Sequence, residues 1–545
     1  MSESLWSSWL NDSLGSLRTR NLLRSQRPTL PTLSSSEASI HQRDLQAWVT
    51  GLESVVKPYQ EHANHTPNIV LDSGCSEIRS LKLFSLNDYL GLASHPEVCK
   101  AAAEAALKLG MGPRSSAIVG GTTGMHRELE EALANLKGTQ DCLLFPTGFA
   151  ANMAVIMSLC DGGNVDIFSD ELNHASIVDG ARLAVRSGGT NRLHVYRHND
   201  MAHLEEMIRE GCGYDPTLLT QSQPPSSSVC GCDPSLLTQS QPPSSSVTLH
   251  HSSQETSHGN SGNNSHERMR YEGTPTLSNS TAHGIQSQRP SAWPGRRRML
   301  VVTDSLFSMD GDFADLRALA SLRQQYGFLL VVDEAHATLV CGDRGGGAAE
   351  AMGVSDQVDV HVGTLSKAFG ALGGFAACSR DLKSLFMNRG RSYIYSTALP
   401  LPVVAAALAA LKVSSRESWR RAHVWNLVDR LGSLLGVPAL SPVVPIVLGG
   451  EEAVLEASGK LLANGFHVPA IRPPTVPAGT CRLRVSLSAA HSMKDVEGLA
   501  EAVKQCGFQP VRMEFLEKQV QHNVAAAKAK AAEQYSLFSM HGSRL

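Results

Sequence analysis

Between about Leu83 and Arg209 short apolar runs alternate with longer amphipathic ones, and this alternation limits the fold more than any other feature of the chain. His95–Gly110 (HPEVCKAAAEAALKLG) is alanine-rich and periodic at helical spacing. Cys142–Leu159 (CLLFPTGFAANMAVIMSL) reads as strand, glycine turn and helix, and Val165–Ala184 (VDIFSDELNHASIVDGARLA) repeats that logic. Arg296–Leu316 is again strand, turn and helix. Strands alternating with helices imply an α/β domain with a mainly parallel sheet, which binds ligands at the carboxyl ends of its strands.

From about Pro402 onward, alanine-rich helices and a strand-like set around CRLRVSLSAAH (Cys481–His491) predict a smaller α+β C-terminal domain. The expected layout is an N-terminal segment (1–82), a large domain (83–405), a small domain (406–514) and a helical tail (515–545). Residues 212–296 interrupt the large domain. DPTLLTQSQPPSSSV (Asp215–Val229) recurs nearly verbatim as DPSLLTQSQPPSSSV (Asp233–Val247), and the stretch beyond is rich in Ser, His, Asn and Gly. Such a segment buries too little apolar surface to offset its ordering entropy, so a disordered insertion is expected.

Composition removes several classes of function. A net charge of −3 gives no electrostatic case for nucleic acid or an anionic membrane surface. No apolar run is long enough to suggest a spanning helix. The eleven cysteines are scattered, mostly in apolar segments, which fits reduced thiols rather than a disulfide framework. Cys230-Gly-Cys232 with Cys212 lacks the gap of a zinc site, so no metal is expected. Near the N-terminus Leu5, Trp9, Leu10, Leu14 and Leu17 fall at helical spacing and read as a short docking helix; the early acids Glu3 and Asp12 weigh against an organelle transit peptide.

The chemistry concentrates at strand ends. In VDVHVGTLSKAFGALGGF (Val358–Phe375) a β-branched run ends at Gly363, and Lys367 follows among small residues that leave its amine uncrowded. FLLVVDEAHA (Phe328–Ala337) is a second apolar run, ending in Asp333 and His336. Alone, Lys367 reads as a solvated strand-end lysine and Asp333 as a helix cap. Together they meet the needs of pyridoxal 5′-phosphate (PLP): a lysine to hold the aldehyde, and a carboxylate to keep the pyridine nitrogen protonated. Gly148 and Phe149 open a helix directly after a strand, where free N–H groups suit a phosphate or form an ordinary turn. His174 follows the next strand, as a flat ring to stack on a pyridine or to pack in the core. Ser308 and Thr364 are hydroxyls at two further strand ends, suited to the cofactor or to capping a turn.

VVTDSLFSMDGD, VVDEAHA, GTLSKAFGALGG, NHASIVDG, FSLNDYLGLASHP and IRPPTVPAGTCRLRVSLSAAH together resemble the α-oxoamine synthases. These are PLP enzymes of fold-type I, with an aspartate aminotransferase-like large domain, and they condense an amino acid with an acyl-CoA and lose carbon dioxide. The resemblance runs from about Leu83 to Phe508, and RPPTVPAGT with RLRVSLSAAH is nearest to members that take L-alanine and pimeloyl-CoA. It implies that Lys367 carries the cofactor, Asp333 pairs with the pyridinium nitrogen, His336 contacts the phenolic oxygen, and His174 stacks on the ring and touches substrate. It implies that Gly148, Phe149, Ser308 and Thr364 hold the cofactor, and that Thr397 reaches the phosphate of a neighbouring subunit in a homodimer with shared sites. Arg472 would bind the amino-acid carboxylate, with Thr475 near the substrate. The family's N-terminal arginine has no counterpart here beyond Lys57, and Ala337 stands where Gly or Ser is common. Members that use other substrates, such as 5-aminolevulinate synthase, 2-amino-3-ketobutyrate ligase and serine palmitoyltransferase, share the cofactor residues, and a non-catalytic scaffold subunit would keep the fold. The final tripeptide Ser543-Arg544-Leu545 resembles the Ser-Lys-Leu address read by the peroxisomal import receptor, so a peroxisomal location is expected, with the cytosol as runner-up.

Overall fold

The computed structural model describes residues 5–19, 29–50, 78–211, 297–508 and 510–511. The insertion expected over 212–296, the tail expected over 515–545, Lys57 and the terminal tripeptide lie outside the described residues.

Strands follow in the order β1 (Leu30–Pro31), β2 (Glu37–His41), β3 (Ile78–Leu83), β4 (Asp141–Phe145), β5 (Val165–Asp170), β6 (Arg192–Tyr196), β7 (Arg298–Asp304), β8 (Leu329–Asp333), β9 (Val360–Thr364), β10 (Gly374–Cys378), β11 (Val443–Gly449), β12 (Phe466–His467), β13 (Ala470–Ile471) and β14 (Cys481–Ser486). Seven of them form the central sheet in the order β4-β10-β9-β8-β7-β5-β6. The pairs β9–β8, β8–β7, β7–β5 and β5–β6 are parallel, while β10 runs antiparallel to both neighbours. The α/β expectation therefore holds, with one reversed strand.

The inner strands are apolar along their length because both faces of the sheet are covered. Val301 and Val332 face one core, whereas Val302 and Val331, one residue away, face the other. The second core is closed by Ala151, Val155 and Ile156 of the helix Gly148–Leu159 and by Ile177 and Ala181 of the helix Ala175–Gly188.

The expected domain boundaries need correction. The one at residue 405 falls inside the unbroken helix Leu401–Arg416. The one at residue 82 cuts β3, which pairs with β2 on one side and in parallel with β12 from the C-terminal region on the other. The strands β1, β2 and β3 thus belong to a four-stranded sheet with β12 of the C-terminal region, and Lys82 adds an ion pair to Asp495 at 3.0 Å. Long-range pairing of this kind leaves no local mark on composition. The N-terminal helix forms over Leu5–Thr19, but Trp6 is 72% exposed and Trp9, Leu10, Leu14 and Leu17 are also exposed, so the expected docking is not made against the described residues.

The small residues around Lys367 serve a different purpose from the one expected. A side chain on Gly363 would come within 2.3 Å of Phe375, its cross-strand partner, and one on Gly374 within 2.3 Å of the Thr147 carbonyl. These glycines let β9, β10 and the helix at Gly148 close together.

Candidate active site

Parallel register sets the site. Asp304 at the end of β7 lies opposite Asp333 at the end of β8, which lies opposite Val362 in β9, so consecutive strand ends deliver two carboxylates and, just beyond, Lys367. Asp333 is buried. Its Oδ2 accepts from Asn152 Nδ2 at 2.6 Å and its Oδ1 from the Ala335 N–H at 2.8 Å. Asn152 also donates to Ser176 Oγ at 2.9 Å, and that oxygen lies 2.7 Å from His174 Nδ1. His174 caps the helix Ala175–Gly188, and its N–H donates to Asp304 Oδ2 at 2.7 Å. The two aspartates are thus linked through Asn152, Ser176 and His174.

A second arm comes from the N- and C-terminal regions. The Tyr89 hydroxyl lies 2.6 Å from His336 Nδ1 and 3.2 Å from Asn87 Oδ1. Arg484, also buried, donates to Asn87 Oδ1 at 3.2 and 3.3 Å, to Ser486 Oγ at 2.9 Å and to the Ser308 carbonyl. No described carboxylate pairs with this guanidinium.

Electrostatics follow from burial. The Lys367 amine makes no hydrogen bond or ion pair with the described residues. Its pKa is drawn down to about 8, chiefly by burial and also by Arg484, against the pull of Asp333 and Asp304. Burial, then the charge of Asp333, raises the Asp304 pKa well above the carboxylate range. Burial, with Lys367 nearby, pushes His336 well below the usual histidine value, and burial lowers His174 as well. The buried thiols are inert rather than activated; burial lifts Cys160 and Cys378 to about 12.

The expected residues sort into two groups. Lys367, Asp333, His336, His174, Gly148, Phe149, Ser308 and Thr364 gather at the strand ends. Phe149 lies edge-on to His174 at 6.5 Å, and a side chain on Gly148 would meet Thr364 Cβ at 3.2 Å. The Thr364 hydroxyl is already spent on the Gly373 carbonyl at 2.9 Å, and the Ser308 carbonyl on Arg484. The second group is described by other contacts. Thr397 is exposed and bridged to Ser116. Arg472 pairs with Glu451 at 3.3 Å, and exposed Thr475 closes a turn on the Arg472 carbonyl at 3.0 Å.

Sequence reasoning missed Asn87, Tyr89, Asn152, Asp304 and Arg484. Two of these carried a readable signal: Asn152 sits one helical turn after Gly148, and Asp304 ends its strand as Asp333 does. The other three reach the site only through long-range packing.

The residues fit PLP. An amine with no partner and a depressed pKa shares a pocket with a hydrogen-bonded carboxylate. The second ring nitrogen of His336 has no partner among the described residues, and the N-terminus of a helix faces the same strand ends. A mainly parallel α/β sheet with these groups at its strand ends defines a PLP-dependent enzyme of fold-type I.

Residues 80–224 and 276–503 match the model of aminotransferase class I and II, and the chain belongs to that family. It is 39% identical over 93% of its length to 8-amino-7-oxononanoate synthase of Arabidopsis thaliana, covering 96% of that protein. It is 36% identical to 8-amino-7-oxononanoate synthase of Geobacter sulfurreducens over 79% of this chain and 90% of that one. Among solved structures, serine palmitoyltransferase of Sphingomonas wittichii superposes with a TM-score of 0.64 at 23% identity, covering 93% of this chain and 98% of that one. At that identity the likeness speaks for the fold.

Proposed function

We propose that this chain condenses L-alanine with pimeloyl-CoA, or another pimeloyl thioester, giving 8-amino-7-oxononanoate, CoA and carbon dioxide, a step of biotin biosynthesis. The observation that carries the reading is Lys367, an unpartnered amine beside Asp333, in a chain 39% identical to a plant synthase along nearly its whole length.

Bound at the strand ends, PLP supplies an electron sink for negative charge at the amino acid's Cα. The protein's residues do the rest. Lys367 would hold the cofactor, and its amine, when released, would serve as the base for the Cα proton; in the empty site burial already draws its pKa down to about 8. Asp333, oriented by Asn152 and the Ala335 N–H, holds the proton of the pyridine nitrogen. His336, its Nδ1 turned to Tyr89, keeps its other nitrogen for the phenolic oxygen. His174 would cover the ring, and Arg472 would bind the substrate carboxylate with Thr475 beside it. The test is free-CoA release with L-alanine plus pimeloyl-CoA against glycine plus succinyl-CoA. Release only with the second pair would overturn the substrate assignment while keeping the chemistry.

Two copies would share their sites, with Thr397 reaching the phosphate held by the partner. Exposed Ile118, Val119 and Tyr395, on the two segments bridged by Ser116 and Thr397, support this pairing. Ser543-Arg544-Leu545 supports a peroxisomal location. A fluorescent fusion with the native C-terminus is expected to be punctate and to turn diffuse when Ser543–Leu545 are removed; the same diffuse signal from both would refute it.

A further inference from the structure

His198, two residues past the end of β6, stands outside the site described above yet touches both loops that serve it. The first loop leaves β5 at Asp170 and ends in His174. The second leaves β7 at Asp304 and runs through Ser308 to Asp312. His198 Nδ1 lies 3.0 Å from Asp170 Oδ1, and its Nε2 lies 2.8 Å from Asp312 Oδ2. Both carboxylates are buried and the imidazole is nearly so. Two carboxylate acceptors require two donors, which imidazole offers only when protonated. The ring is therefore a buried cation; burial opposes the charge, but the two aspartates raise its pKa to about 10.

The neighbouring contacts extend the same link. The His198 N–H donates to Glu171 Oε1 at 2.8 Å, and the Asn199 N–H to Asp170 Oδ2 at 2.9 Å. Asn199 Nδ2 donates to the Phe313 carbonyl at 2.8 Å. The His198 ring meets Phe307, the residue before Ser308, edge-on at 4.5 Å. On its other side the second loop is held by Arg482 through Asp310 and by Arg484 through the Ser308 carbonyl. β5 and β7 are paired neighbours, and the His174 N–H bond to Asp304 Oδ2 ties the first loop to the root of the second; His198 adds a tie farther along both loops.

We propose that His198 is a positioning residue of the cofactor site: by bonding Asp170 and Asp312 at once, it fixes the loop bearing His174 against the loop bearing Ser308. The inference rests on PLP binding at this site, and failure of that reading would show separately, as absence of PLP binding by the wild-type protein.

The experiment titrates cofactor-free, full-length protein with PLP, following absorbance, and measures melting temperature in parallel. His198→Gln supplies one neutral side chain that cannot bridge both carboxylates. Asp312→Asn removes the charge that faces the ring from the other end while keeping the side chain's shape. A core variant far from the site, Ile208→Val, serves as the comparison for lost stability. The PLP dissociation constant is expected to rise roughly tenfold to a hundredfold in His198→Gln and Asp312→Asn, the order of loss that follows a small misplacement of binding groups, and to stay near wild type in Ile208→Val. The double variant removes one of the two buried carboxylates left without their cation, so it should regain part of the melting temperature over His198→Gln without regaining PLP affinity. Affinity within twofold of wild type in both single variants, or affinity that tracks melting temperature across the whole set, would overturn the proposal.

Discussion

Lys367→Ala is expected to end CoA release from L-alanine and pimeloyl-CoA, with a loss on the order of 10⁴-fold, the upper end of what a positioned base supplies. It should also remove the absorbance of lysine-bound PLP while leaving the fold intact, because the Lys367 amine has no bonding partner to lose. The wild-type protein should show the titration of that amine. Without cofactor, its pKa near 8 against 10.5 unfolded means that the folded chain gives up this proton first. Between those two values the unfolded state binds more protons, so this group adds stability as pH rises through that window. The rate of PLP capture should climb with pH below about 8 and level off above it. Residual turnover within tenfold of wild type, or a capture rate flat from pH 6 to 9, would remove Lys367 from its assigned role.

Lys137→Met is expected to cost about 3–5 kcal/mol of folding stability, because it strands a buried carboxylate. Lys137 Nζ lies 2.7 Å from Glu334 Oε2 and 2.9 Å from Thr338 Oγ1, and neither charged side chain is exposed. Glu334 also lies 2.9 Å from His361 Nδ1 and accepts from the Ala349 N–H at 3.0 Å. Burial alone would raise its pKa, but Lys137 and His361 bring it down to about 2. A depressed carboxylate contributes stability that is fully present above its unfolded value of 4.5 and is lost as pH falls towards 2. Since Glu334 directly follows Asp333, the pair also anchors the strand end that carries the cofactor's carboxylate. Urea unfolding at neutral pH measures the effect, and adding Glu334→Gln should recover part of it. A change below 1 kcal/mol would show that water or relaxation meets the stranded charge.

Much of the site was legible because its chemistry is local. Lys367, Asp333, His336, His174 and Gly148 each sit within a few residues of a strand end, and strand ends announce themselves as β-branched runs meeting polar or small residues. Thr397 and Arg472 were named by resemblance alone. The glycines near Lys367 were noticed for the wrong reason, because a sequence does not reveal that Phe375 lies across from Gly363.

What the sequence determined by itself was the order of strands and helices, the α/β class and the titratable groups delivered to one edge of the sheet, since periodicity and strand termini are encoded over a few residues. The tertiary structure alone decided the pairing of β3 with β12, the continuity of the helix across residue 405, the reversal of β10, and the arrival of Asn87, Tyr89 and Arg484 beside His336. The first and last of those depend on contacts between segments hundreds of residues apart, where burial and register choose the partner and no local pattern records the choice.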